Sequence, residues 1–125
     1  MRSALVLALA LAPALGAPVH AAPGDAAAGK ALFASRCASC HKVGPSARSG
    51  FGPHLNGIVG RRAASTGDYA YSPALGKSGL VWSEENLAAF LRDPGAVVPG
   101  TRMRFHGIRD EKRMADLLAY LRTLR

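Results

Sequence analysis

FASRCASCHKVG, residues 33–44, holds both cysteines of the chain, Cys37 and Cys40, and His41 directly follows the second. Three readings compete for this triplet. A redox disulfide uses C-x-x-C where it opens a helix after a strand in a βαβ unit. Here the preceding segment reads as helix and no such unit can be placed. A structural zinc site takes C-x-x-C as half of its ligands, with His41, His54 or His106 to complete it. Neither a second C-x-x-C nor a histidine pair at finger spacing follows. The third reading uses all three residues at once: C-x-x-C-H is the attachment sequence for a c-type haem. Cysteines three apart share one side of a helical turn, so both sulfurs reach haem vinyl groups. His41 is then placed to offer an imidazole nitrogen to the iron. The triplet is read as a tether plus a ligand.

That reading decides the fold, because the rest of the chain is short of core. The chain has 125 residues, of which 6% are aromatic, and a domain of this size buries a modest apolar area. Residues 44–79 are rich in Gly, Ser, Ala and Pro and show little periodicity. So long a stretch without elements is unusual in a compact domain. A bound apolar group gives it something to pack on. Helices are expected on either side. Asp25 is a good N-cap for a helix over 26–35, with Gly29 and Phe33 on one face. Ser83 caps a second helix, whose stripe is Leu87, Phe90 and Leu91. Its end is expected at Asp93, since Pro94 disfavours helix before it. A last helix over 110–123 carries Met114, Leu117, Leu118, Leu121 and, just beyond, Leu124 at helical spacing. No alternating strand and no repeat stands out. The expectation is an all-α single domain with long loops around the haem.

The N-terminus reads as an address rather than as structure. Arg2, an apolar run from Ala4 to Leu15 and the small-residue site ending at Ala21 have the layout of a secretory signal peptide. Cleavage there leaves 22–125 as the mature domain. Export to the periplasm fits the thioether chemistry and makes nucleic acid an improbable partner. The net charge of +8 instead suits acidic protein faces. Candidates for a basic ring are Arg36, Lys42, Arg48, Arg102 and Arg109.

The second axial position separates two functions. Left open, the iron binds gas or peroxide, and the protein is a sensor or a haem enzyme. Filled by the protein, it makes an electron carrier that transforms no substrate. The candidates are Met103, Met114, His54 and His106. Met114 lies on the apolar stripe of the last helix and suits core packing. His54 follows His41 too closely. Met103 sits in VVPGTRMRF, after a Pro99-Gly100 turn, flanked by Arg102 and Arg104, whose place is in water. A loop that holds one thioether inward explains that pattern, with His106 as the main rival.

Over residues 24–125 the chain resembles the class I c-type cytochromes, similar to the soluble periplasmic and mitochondrial forms. GKALF…CASCH, GFGPHLNGIVGRR, YAYSPAL, LVWSEENLAAFL, DPGAVVPGTRMRF and MADLLAYLR carry the resemblance through their order and spacing. It implies one haem c, held by Cys37 and Cys40, with His41 and Met103 as axial ligands. It implies that the Pro53 carbonyl accepts the other ring N–H of His41. Arg61, Tyr71 and Trp82 would bond the haem propionates, and Thr101 would orient the Met103 loop. Gly29, Phe33, Leu117 and Tyr120 would form a crossing of the first and last helices. The implied function is a monomeric one-electron shuttle working through an exposed haem edge. Its implied partners are a bc-type complex and a terminal oxidase, photosynthetic reaction centre or peroxidase. Gly95 and Ala96 depart from the pattern, standing where many relatives carry lysine. So does Phe90, where many have tyrosine.

Overall fold

The computed structural model describes Gly16 and residues 23–125; the expected signal peptide, Gly16 apart, lies outside the described residues. Five helices follow in order: α1 (Ala26–Arg36), α2 (Pro73–Lys77), α3 (Glu84–Arg92), α4 (Pro94–Val97) and α5 (Glu111–Leu121). Among the described residues there is no strand, only an isolated antiparallel bridge between Arg62 and Val81. No helix among them is long and apolar enough to cross a membrane.

The crossing of α1 and α5 is the frame. Asp25 caps α1 by accepting from the Ala27 and Ala28 N–H groups, and Asp110 caps α5 through Arg113 N–H. A side chain at Gly29 would collide with the Asp116 backbone carbonyl, so the helices approach backbone to backbone at this point. Phe33 and Tyr120 stack beside it with ring centroids 5.3 Å apart. Met114, Leu117 and Leu121 are buried, as their spacing predicts, while Leu118 and Leu124 pack against the core from its margin.

Asp116 was not expected in that core. Its carboxylate is buried, where it accepts from Asp25 N–H at 2.8 Å and from Lys112 Nζ at 2.8 Å. The residue that caps α1 is therefore itself fastened to α5. The Asp25 N–H first, then Lys112, hold the Asp116 carboxyl below its ordinary 3.8. A depressed folded-state value stabilises the protein fully above 3.8, and that contribution fades as pH falls through the lowered value. Asp116→Asn is expected to be less stable than the parent in urea at pH 7. The gap should narrow as pH drops below 3.8. A pH-independent gap would show that the contact works by shape rather than by charge.

Between α1 and α3 the chain is less featureless than its composition suggests. Ser72 caps α2 by accepting from Leu75 N–H. Gly60, Ala63 and Trp82 exchange backbone bonds with Trp82, Leu80 and Arg61, a pairing too short to leave an alternating pattern. α3 runs as expected, with Leu87, Phe90 and Leu91 buried. Asp93 ends it and also caps α4, accepting from Ala96 N–H at 3.2 Å. The short α4 escaped the sequence because Pro94 reads first as a stop, although proline at N1 also starts helices.

Candidate haem-binding site

α1 delivers Cys37 at its C-terminal cap. A hydrogen-bonded turn continues from there: Cys40 N–H and His41 N–H both donate to the Cys37 carbonyl, at 3.1 and 3.0 Å. The turn holds Cys37 and Cys40 three residues apart on one hydrogen-bonded segment, and the two are not joined in a disulfide. Burial pushes the Cys37 thiol up to about 11. Among the described residues no three His, Cys, Asp or Glu side chains gather as a metal site.

His41 is fixed by the loop that follows it. Its Nδ1 lies 2.8 Å from the Pro53 carbonyl, which has no proton to give, so Nδ1 carries the hydrogen and Nε2 keeps its lone pair. Gly52 N–H donates to the Cys40 carbonyl at 2.9 Å. A Cβ on Gly52 would lie 2.7 Å from the imidazole Cε1, so only glycine lets this loop lie against the ring. Burial lowers the pKa of His41 against the opposing pull of the Pro53 hydrogen bond. The imidazole is thereby kept neutral, the form that binds a metal. Asn56 braces the same loop: it donates to the Gly44 carbonyl at 2.8 Å and accepts from Gly44 N–H at 2.9 Å. Sequence reasoning passed over Asn56, although Asn-Gly is a turn signal.

The loop over residues 101–108 turns some of the candidates inward and others out. Thr101, Met103, Phe105 and Gly107 are half-buried, whereas Arg102, Arg104 and His106 are exposed. This strict alternation is that of an extended chain with one wet face. Met103 and Phe105 pack against the core, and the rival His106 turns to solvent. Thr101 Oγ1 accepts from Met103 N–H at 3.3 Å, which ties the hydroxyl to the loop. Met114 is 3% exposed in the helical core. His54 is half-buried, with a buried Nδ1 that has no protein partner.

The donors expected at the propionates are differently engaged. Arg61 spends Nη1 on the Asn56 carbonyl at 2.7 Å and Nη2 on the His54 carbonyl at 3.0 Å. Its Nε is buried and unpartnered. Burial lowers the pKa of Arg61, but a guanidinium stays charged. The Tyr71 hydroxyl lies 2.6 Å from Thr66 Oγ1 and accepts from Thr66 N–H at 3.3 Å. Trp82 is buried and tilts against Phe90 at 4.9 Å; among the described residues nothing accepts from its indole N–H. Thr66 was missed, and nothing in its local sequence marks it.

These features fit a covalent haem c. Two unpaired cysteines sit on one hydrogen-bonded turn, an imidazole has one nitrogen committed to a carbonyl, and a thioether packs inward. The orphaned Arg61 Nε is the kind of buried donor that a carboxylate of a bound group satisfies.

Comparison with known proteins points the same way. The family model described as Cytochrome c matches residues 26–125. The chain is 43% identical over 117 residues to cytochrome c2 of Blastochloris viridis, covering 94% of this chain and 86% of that one. It is 44% identical over 98 residues to cytochrome c-550 of Nitrobacter winogradskyi, covering 78% and 89%. Among solved structures, cytochrome cH from Methylobacterium extorquens superposes with a TM-score of 0.74 at 48% identity, covering 80% of this chain and 99% of that one.

Proposed function

The chain belongs to the cytochrome c family and is a monohaem electron carrier, and on that premise we propose how its residues do the work and for whom. Cys37 and Cys40 would hold the haem through thioethers, and the His41 imidazole and Met103 thioether would bind its iron. Haem c supplies an iron that takes up and gives back one electron. His41 contributes a neutral imidazole whose basicity is raised by donation to Pro53. Met103 contributes a soft, neutral sulfur that favours the reduced iron. Trp82, Phe90 and Leu91 exclude water, which also disfavours the added positive charge of the oxidised state. Arg61 Nε, the Trp82 indole N–H and the Tyr71 hydroxyl receive the propionates. With both residues held in place, the site would leave no open position for a substrate, and the protein would transfer electrons only.

The observations that carry this reading are a His41 locked by Pro53 and a Met103 turned inward against the core. A visible and near-infrared spectrum with a redox titration tests it. One haem per chain, a weak sulfur-to-iron band in the ferric state and a single one-electron step are expected. A haem that instead binds carbon monoxide rapidly when reduced would return the protein to the sensor or enzyme class.

The place of work we propose is the periplasm, supported by the leader-like residues 1–21 and the thioether chemistry. The partners are acidic docking faces of a bc-type complex and of an oxidase, reaction centre or peroxidase. Lys42, Arg48, Arg102 and Arg109 are exposed and Arg36 half-exposed, so their charges are available for steering. With a purified bc-type complex, the bimolecular rate should fall steeply as salt rises from about 0.01 to 0.15 M, as the screening length drops from roughly 30 to 8 Å. A salt-independent rate would remove the basic face from the account.

A further inference from the structure

We propose that Arg36 is a positioning residue for the axial-ligand loop: its guanidinium, laid on the Phe105 ring, holds residues 101–108 closed and slows the departure of Met103. The inference rests on the reading of Met103 as a ligand. The Arg36 guanidinium carbon sits 5.2 Å from the Phe105 ring centroid, within the range at which a cation is held by an aromatic face. Among the described residues none of the ion pairs uses Arg36, so no carboxylate competes with the ring for its guanidinium.

The two ends of the contact differ in rigidity, which gives it consequence. Arg36 is the last residue of α1, directly before Cys37, on a helix capped at Asp25 and packed across α5. Phe105 lies in a loop whose hydrogen bonds are at its ends. Thr101 N–H donates to the Val98 carbonyl and Ile108 N–H to the Leu91 carbonyl, both at 2.9 Å, and Met103 N–H reaches Thr101 Oγ1. Among the described residues no hydrogen bond holds the backbone of 104–107. Phe105 shares the inward phase of Met103, two residues away. A hold on Phe105 is therefore a hold on the side of the loop that presents the sulfur. The role asks for arginine in particular, because a planar guanidinium stacks on a ring and a lysine ammonium covers it less well.

The test uses the ferric holoprotein and imidazole as an entering ligand. At saturating imidazole the binding rate reports how fast Met103 leaves. Arg36→Gln should raise that rate roughly two- to fivefold, the factor that corresponds to an exposed cation–π contact. Arg36→Lys should raise it less. Lys30→Gln, which removes an exposed charge from the same helix, should leave it near the parent rate. Phe105→Leu should also accelerate binding, and adding Arg36→Gln to it should change little further, since both remove one interaction. An unchanged rate in Arg36→Gln overturns the proposal. So does an equal acceleration in Lys30→Gln, or full additivity in the double variant. A parent protein without the sulfur-to-iron band fails earlier, at the ligand assignment, and overturns both.

Discussion

Met103→Ala is expected to abolish the near-infrared sulfur-to-iron band, lower the midpoint potential on the order of 100–300 mV and let the reduced protein bind carbon monoxide. The scale follows from the roughly 0.8 V range over which axial ligands set haem potentials. Direction follows from chemistry: losing a soft, neutral sulfur removes a preference for the reduced iron. Size depends on whether another side chain takes over, and here the loop geometry decides. His106 is on the opposite phase of the extended loop and exposed, so it reaches the site only if the chain turns over between Thr101 and Ile108, both of which are bonded in place. Met114 is locked in the α1–α5 core. The position should therefore open to small ligands rather than refill. A spectroelectrochemical titration of the variant, with a carbon monoxide difference spectrum, measures all three effects. If the sulfur band survives in Met103→Ala and disappears in Met114→Ala, the ligand has been misassigned.

How much of this was legible in the sequence depends on how local each signal is. The caps at Asp25 and Ser83 are read within three or four residues, and both form as expected; Asp110, read as the first residue of the last helix, is its cap instead. The stripes of α3 and α5 also form as expected, because burial on one face leaves a period. The proximal triplet was legible since its chemistry demands three residue types at fixed spacing. The inward phase of Met103 was only half visible: the flanking arginines suggested it, but an unpaired extended loop leaves no strand signal. What stayed hidden depends on distant pairing. Asp116 looks like a misplaced charge until Asp25 N–H, ninety-one positions away, is seen bonded to it. Asp68 is likewise unremarkable until it accepts from the backbone and hydroxyl of Ser49, at 2.9 and 2.7 Å, and closes the loop that carries Phe51 and Pro53. Short elements such as α2 and α4 were lost because one turn of helix has no period to read.

The second large effect belongs to Gly29→Ala, expected to lower the thermal midpoint of the holoprotein by on the order of 10–15 °C. A single methyl is added to the middle of α1, where alanine is intrinsically the better helix former by about 1 kcal/mol. The contact opposes that gain. The new Cβ would overlap the Asp116 carbonyl carbon and oxygen and press on Tyr120 Cβ. Two of those atoms are α5 backbone and cannot rotate aside, so the helices must part. Parting them loosens the Phe33–Tyr120 stack and stretches the bond from Asp25 N–H to the Asp116 carboxylate, so the strain spreads along the crossing. Overpacking costs about 1–3 kcal/mol and more where the surroundings cannot yield. The backbone clash places this site at the upper end. A net loss near 2 kcal/mol moves the midpoint of a domain this size by about 8–16 °C. Gly76→Ala is the control, since it lies in α2 with no atom within 4 Å of a Cβ and should leave the midpoint within a few degrees. Thermal unfolding followed by circular dichroism compares the two. Equal midpoints would mean that α1 and α5 have slack to separate, and that the crossing is held by its flanking rings and not by the close approach at Gly29.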